Sequence, residues 1–590
     1  MIKRITKYLF IALMLTPCVF WSKIIIVAES GGDFNIIQDA LSVAVAGDTI
    51  FVREKNDPYF EKITFPRSGD NINGHIVLMN YPNESPIIDG NGISFSGDWP
   101  QGLVRIVDKS FIKIIGFEIR NIVLSDNNVF PAGIWLYGSL NNVEIIRNKI
   151  YTIQQNANNA GAHGLAVYGT DQTVPISDIL IDGNEIYNCK LGWSESLVLN
   201  GNVEKFVVSN NIVHDNNNIA YDFIGHEGEC PNPELDQARD GLVVSNIAYN
   251  IDSRGNQAYG DEASAVGFYI DGGKDIILER NTVYNCNIGI EIASEHSGKA
   301  TSGIIVRNNL VKENIVLGIA FGGYDSQRGS TDNCKIINNT LYKNNSEKFD
   351  WGAEILVQYY CVNNIIANNI VHSKSNIPMI DNRTNTGTNN IFSNNIYFTE
   401  GNPEWYWGSV FYSDYDSYRI GSGQEENSIY ANPMLVDPKN GNFNLNVNSP
   451  SIDNGEIIEP LIHGDSDYFG NARIIDDIID IGAVEYDEVT SVEKNELYGV
   501  NTFKLLPAYP NPFNPSTTIE FSVSPKNIPE KYSLNIYDIL GRKLITKEYI
   551  ATHDEKFTYY WNAERYNSGV YYAVVNSFGK SQIRKLLLIK

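Results

Sequence analysis

The chain has 590 residues and a net charge of −25, with 45 Lys and Arg against 70 Asp and Glu. That length exceeds one ordinary core and calls for several domains or a long repeat array, while the surplus of carboxylates argues against nucleic acid, whose phosphates are bound through Lys and Arg. An aromatic content of 11% excludes disorder throughout, and six cysteines are too few to staple a scaffold of this size.

Residues 1–22 read as a signal peptide. Lys3, Arg4 and Lys7 precede the apolar run YLFIALMLTPCVFW, which is too short for a stop-transfer helix. Pro17, standing before Cys18 where a small residue is wanted, argues against a lipid anchor. No later stretch is long and apolar enough to cross a membrane, so a soluble mature protein is expected. The cysteines that remain, Cys189, Cys230, Cys286, Cys334 and Cys361, read as buried thiols.

A helix is predicted over 35–45 (NIIQDALSVAV), where Ile36, Ile37, Ala40, Leu41 and Ala44 share one face and Asp33 is the expected N-cap. It would plug the open end of the stack that follows. AGDTIFV, HIVLMNYP and SPIIDGNG read as the first coils of that stack, and this stretch resembles the opening of pectate-lyase-like β-helix proteins, including chondroitinase B and alginate-lyase relatives.

From about residue 130 to 397 one phrase returns: an apolar alternating run, an Asn, then another apolar pair, as in LIDGNEIY (180–187) and ILERNTVY (277–284). Aligned on Asn148, Asn184, Asn210, Asn246, Asn281, Asn308, Asn339, Asn368 and Asn394, the repeats recur every 26 to 36 residues. Between them lies a Gly-led strand phrase such as GIWLYGS, GLAVYGT, GFYIDGG and GIEIASE. Short strands, no helical period and an Asn at the bend describe the coils of a right-handed parallel β-helix, a single-strand solenoid. The Asn side chains would stack as a ladder between coils.

Alternate side chains of a strand point outward, so equivalent positions of successive coils form columns. One predicted column holds Trp135, Ala166, Val198, Asp222, Tyr269, Glu291 and Ala320; a second holds Tyr137, Tyr168, Asn200, Ile224, Asp271, Ala293 and Gly322. His226, Glu227 and Glu229 follow one of these strands, and Glu295 and His296 follow another. Two long excursions, 226–240 and 252–264, interrupt the regular spacing here. Loops of that length in a solenoid are commonly functional. They are expected to wall a groove above Asp222, Asp271 and Glu291 and to bring Arg239, Asp240, Asp261 and Glu262 close, with the three carboxylates projecting into solvent.

After SPSIDNG (449–455), DSDYFGNAR (465–473) and DIGAVEY (480–486), which resemble the closing segment of secreted bacterial β-helix proteins, a polar stretch over 487–502 reads as a linker. The β-helix domain thus spans 23–486. Residues 503–590 alternate strand patterns with turn residues, as a small β-sandwich would. YPNPFNP at 509–515, YDILGR at 537–542, SGVY at 568–571 and the terminal Lys590 together resemble the type A sorting domain of the type IX secretion system. The resemblance implies export by the signal peptide, transport across an outer membrane by that machinery and a secreted or cell-surface destination. The expected fold class is therefore all-β, a β-helix with an N-terminal capping helix followed by a small sandwich, in a monomer.

A groove with carboxylates on its floor and aromatics along it suits a polysaccharide, because aromatic rings match the apolar face of a sugar and paired carboxylates are what glycoside cleavage needs. Asp271 and Glu291 are the first choice for the catalytic pair, with Asp222 as substitute. Tyr269, Trp135, Tyr137 and Tyr168 would line subsites, and His226, His296, Arg239 and Glu295 would bind or orient substrate. No cofactor is required by this reading. A polysaccharide lyase or epimerase acting on uronates is the first alternative, since the fold resembles those families; Ca²⁺ among Asp222, Asp271 and Glu291 would favour it. The polygalacturonase set of NTD, DD, GHG and RIK does not occur as a set, NTD, GHG and RIK being missing from the sequence, so no residue roles carry over. A metal centre of His226, His296, Glu227 and Glu295 lacks a ligand motif of fixed spacing, and a non-catalytic glycan-binding or adhesin solenoid is a further alternative.

Overall fold

The computed structural model describes residues 22–97, 99–486 and most of 503–590. Residues 1–21 of the expected signal peptide (1–22), the expected linker at 487–502, Pro512 of the YPNPFNP motif, residues 539–541 of the YDILGR motif, Ser568 and Lys590 lie outside the described residues. The described residues divide into two compact units, one up to residue 486 and one from 503 onward.

In the first unit three long sheets of 16, 12 and 13 described strands, parallel except for the last strand of the third, run side by side, and sequence-successive coils are neighbours in each. One coil, for example, contributes Ile176–Asp182 to the first sheet, Glu185–Tyr187 to the second and Leu197–Gly201 to the third. Inward residues alternate along each strand, as Val143 and Ile145 or Phe206 and Val208 do, and join one continuous core. The glycine that leads strands of the third sheet is required by the close approach of coils. A Cβ on Gly289 would lie 2.5 Å from the Gly318 carbonyl oxygen and 2.8 Å from Asn314 Nδ2.

The helix Ile37–Val43 buries Ile37, Ala40 and Leu41. Its expected N-cap is corrected: Asp33 instead accepts the Ile26 N–H at 2.8 Å. The first turn is satisfied from the next coil, where Glu61 accepts the N–H groups of Ile37 and Gln38 at 3.1 and 3.0 Å. At the far end a hairpin of Glu404–Trp407 and Val410–Tyr412 pairs with the third sheet. A second helix, Tyr415–Ser422, capped by Asp414 and ended by Gly423 at φ 66°, stacks the buried Tyr418 on Trp405.

The Asn ladder is present in a corrected register. It runs through Asn148, Asn184, Asn211, Asn246, Asn281, Asn309, Asn339, Asn369 and Asn395, each side-chain oxygen from Asn184 onward accepting both the backbone and the side-chain N–H of the Asn one coil earlier at 2.8–3.1 Å. Where two Asn are adjacent, the second stacks and the first turns the chain: Asn210, Asn308, Asn368 and Asn394 all have φ between 52° and 57°, a left-handed conformation that Asn tolerates. The freed side chains of Asn308 and Asn368 then dock the closing segment. Asn308 Nδ2 donates to the carbonyls of His463 and Ser466, both at 3.0 Å, and Asn368 bonds Glu456 through both its oxygen and its nitrogen.

In the second unit a three-stranded and a four-stranded antiparallel sheet contribute their buried faces, including Ile519, Phe521, Leu534, Ile536, Trp561 and Leu586, to one cluster. All five described cysteines are free and buried.

Candidate active site

Strand pairing in the third sheet determines the outward columns. Trp135, Ala166, Val198, Asp222, Tyr269, Glu291 and Ala320 stand opposite one another on successive coils, and the column continues through Leu356 to Asp381. In the adjacent column Ile224, Asp271, Ala293 and Gly322 are paired in the same way.

A cleft of about 870 Å³ lies over these coils. Asp222, Asp271, Tyr269 and Glu291 form part of its floor, and Trp193, Glu195, Glu227, Tyr259, Glu262, Glu295, Tyr324, Trp351, Gln358 and Arg383 contribute to its walls. The three central carboxylates do not project into open solvent. Asp222, Asp271 and Glu291 are only 2%, 4% and 6% exposed, because loops of neighbouring coils fold over them. The 252–264 excursion is one such wall: Asn256 Nδ2 bonds the carbonyls of Gly192 and Asn217, both at 2.9 Å, and Tyr259 packs on Trp193 with ring centroids 5.1 Å apart. Exposed aromatic faces remain on Trp193 and Trp351, at 47% and 43%.

Several expected site residues stand elsewhere. Trp135 is 1% exposed and packs with Ala132, Ala166, Val198 and Ile224 in an apolar cluster that Tyr137 and Tyr168 flank. Trp99 covers it at a centroid distance of 5.3 Å, so these three aromatics do not line the cleft. Arg239 belongs to the strand Ala238–Val244 of the first sheet and pairs with Glu204 at 2.7 Å. The excursion before it turns back under the hold of Asp236 on the Gly228 and Cys230 N–H groups, which carries Arg239 and the adjacent Asp240 away from the groove. His226 bonds Gln237 at 3.0 Å and is not among the lining residues. Tyr269 does line the cleft and donates to Glu295 at 3.2 Å.

Residues that sequence reasoning missed include Glu195, Trp193, Gln358, Trp351 and the Asp381–Arg383 pair, joined at 2.9 Å. Extending the outward column by two coils finds Asp381; no periodic signal marks the loop residues.

The electrostatics follow from burial without counter-charge. Arg383 is the only Lys or Arg among the described residues lining the cleft, and Asp381 already engages it. Burial, followed by the charges of Glu195, Asp271, Glu227 and Glu295, holds Asp222 well above the ordinary carboxylate range. Asp271 is raised likewise, by burial and then by Glu295, and Glu195 by burial and then Glu227. Glu291 is lifted by burial only to about 7, because Gln358 Nε2 donates to its Oε1 at 2.9 Å and favours the charged form. The cleft thus holds carboxyl groups that keep their proton beside one that loses it near neutrality. Among the described residues, Glu227, Asp271 and His296 each offer a ligand atom within 4.8 Å of the others, a group that mixes the two metal sets expected from the sequence.

Residues 132–340 match the family described as right handed beta helix region, and residues 507–590 match the secretion system C-terminal sorting domain. The uncharacterized protein YwoF of Bacillus subtilis (strain 168) is 37% identical over 420 residues, covering 71% of this chain and 88% of YwoF. Among solved structures, XylC in complex with xylose is 12% identical with a TM-score of 0.41, over 78% of this chain and 98% of that one. The catalytic unit of the GH87 α-1,3-glucanase of Streptomyces thermodiastaticus strain HF3-3 is 13% identical with a TM-score of 0.30, over 54% and 61%. The receptor-binding domain of the siphovirus 9NA tailspike is 11% identical with a TM-score of 0.32, over 96% and 99%.

Proposed function

The chain belongs to the same family as YwoF, matches the right handed beta helix region over residues 132–340 and carries a C-terminal sorting domain that sends it through the type IX secretion system to the cell surface or extracellular space, and from that premise we propose that it is a glycoside hydrolase acting on a polysaccharide. The observation that carries this reading is the split between Glu291, which ionises at about 7, and Asp222, which burial and neighbouring charge keep protonated, on one floor of the cleft.

Glu291 is the base. Its carboxylate takes a proton from a water that attacks the anomeric carbon, while Asp222 gives its proton to the glycosidic oxygen as the carbon–oxygen bond breaks. Asp222 and Glu291 lie two coils apart with Tyr269 between them, so their backbones are separated by about 10 Å at ~4.8 Å per strand. Such a spacing leaves room for the water and fits inversion at the anomeric carbon. Asp271, the other candidate partner, has Oδ1 engaged by the Glu295 N–H at 2.8 Å, whereas Asp222 Oδ1 has no partner among the described residues. Trp193 and Trp351 offer stacking faces for sugar rings above the floor, and the crowding of carboxylates favours neutral over anionic glycans.

The test is cleavage of a panel of neutral and uronate-containing glycans by the wild type, Glu291→Gln and Asp222→Asn. Reducing ends released by the wild type and at least a hundredfold fewer by either variant are expected. Cleavage that both variants retain removes the assignment. Products with an unsaturated-uronate absorbance would identify a lyase instead, and saturable binding without cleavage would identify a glycan-binding solenoid.

A further inference from the structure

We propose that Glu227, Asp271 and His296 form a binding site for a first-row divalent transition ion of the Zn²⁺ or Mn²⁺ class. The three side chains come from successive coils: Glu227 follows the strand Tyr221–Ile224, Asp271 ends Val266–Asp271 and His296 follows Ile288–Ala293. Their ligand atoms all fall within 4.8 Å of one another, a span that one ion with bonds of about 2.0–2.2 Å can nearly bridge, small side-chain rotations closing the rest.

The carboxylates are pre-positioned by groups behind them. Asn200 Nδ2 donates to Glu227 Oε2 at 2.8 Å, and the Glu295 N–H donates to Asp271 Oδ1 at 2.8 Å. Each bond occupies one oxygen and orients the other, as outer partners of metal ligands do. An independent sign of a missing partner lies beside them. Asp222, 2% exposed and lining the same cleft, has a buried Oδ1 with no hydrogen-bond partner among the described residues, and the buried His296 Nε2 has none among them either. Leaving buried polar atoms unpaired is unfavourable unless something compensates, and Arg383 is committed to Asp381. A divalent cation offsets that cost, displacing as it arrives the proton that Asp271 otherwise keeps.

The donor set selects the ion. Ca²⁺ takes oxygen ligands and prefers six or more, whereas an imidazole with two carboxylates suits Zn²⁺ or Mn²⁺ with open positions for water or sugar hydroxyls. The Ca²⁺ set expected from the sequence, Asp222, Asp271 and Glu291, lacks this nitrogen ligand. The site does not depend on the hydrolase reading, because binding is measured without any glycan.

The experiment is calorimetric titration of the full chain, stripped with a chelator and dialysed, with Zn²⁺, Mn²⁺ and Ca²⁺ separately. One Zn²⁺ or Mn²⁺ per chain is expected, with Ca²⁺ at least tenfold weaker. Glu227→Gln, at an exposed loop position that leaves the core untouched, and His296→Ala should each weaken binding at least tenfold while melting as the wild type does. No saturable uptake, affinity unchanged in both variants, or Ca²⁺ bound as tightly as Zn²⁺ and Mn²⁺ would overturn the proposal. A chain that binds the ion and cleaves no glycan sinks the hydrolase reading alone; one that cleaves and binds no ion sinks this one alone.

Discussion

Gln358 reaches across 67 residues of sequence to donate from Nε2 to Glu291 Oε1 at 2.9 Å. The two residues lie on non-adjacent coils, and the bond holds the Glu291 carboxyl in the cleft while favouring its charged form. It makes Glu291 the carboxylate of the cleft floor that ionises at about 7, when burial alone would carry it higher.

A pH profile therefore reads that bond. Glu291 must be ionised to act as base, so kcat/KM is predicted to rise with pH through about 7. In Gln358→Leu the charged form loses its donor, the carboxyl titrates higher, and the acidic limb moves to higher pH. A variant whose limb stays in place would show that Gln358 does not tune Glu291. Kinetics across pH, with melting curves as the control for folding, make the distinction.

Trp193 and Trp351 are about half exposed on the walls of the cleft, so truncating them should cost little stability. Trp193→Ala and Trp351→Ala are predicted to raise KM several-fold each, by about 1 kcal/mol of ring stacking, with kcat close to the wild type. Unchanged KM in both, measured by initial rates on a cleaved glycan, would place the sugar elsewhere.

Adjacent asparagines are predicted to fail differently. Asn309→Ala leaves the Asn281 backbone and side-chain N–H groups without their acceptor, a buried loss of about 2–4 kcal/mol, and should lower the melting temperature of the whole unit. Asn308→Ala removes the bonds to His463 and Ser466 and is predicted to expose residues 449–486 to proteolysis, with a smaller effect on global melting. Equal proteolysis in the two variants would contradict this division of labour.

Stability should depend on pH through Glu354. Asn344 accepts the backbone and side-chain N–H groups of Asn314, and Glu354 ends this second ladder by accepting those of Asn344 at 2.9 and 2.6 Å. Burial raises its carboxyl to about 8, against the opposing pull of Asn344, Lys374 and Ser373. The folded chain thus retains a proton that the unfolded chain releases at its ordinary 4.5. The contribution to stability is whole below about 4.5, declines as pH rises and is gone above about 8. Glu485, also raised to about 8 by burial, acts in the same direction. Melting temperature is predicted to fall between about pH 5 and 8, and Glu354→Gln should flatten that slope. An identical slope in the variant, followed by circular dichroism, would rule Glu354 out as its source.

The winding of the chain was legible because each coil repeats one local pattern. Apolar alternation, the leading glycine and the bend Asn state which side chains face in and which face out, and strand pairing then forces Asp222, Tyr269 and Glu291 into one column. The Asn register was misread at pairs such as Asn308–Asn309 because both residues suit the bend, and only the choice between a left-handed backbone and the stacking position separates them. The sorting domain was legible from its motifs, which 507–590 carry as a set.

What sequence alone determined, then, is the cylinder and the columns on its surface, because a period-2 pattern on stacked coils is a local property repeated many times. Tertiary structure decided which part of that surface became a cleft. Its walls are loops without period, so nothing in the sequence announces that Tyr259 packs on Trp193, that Trp99 buries Trp135, or that Arg239 turns away to Glu204. The protonation of Asp222 and Glu291 follows from that covering, since it is the loss of water and the nearness of other charges, both set by distant segments, that move a carboxyl group from its ordinary range.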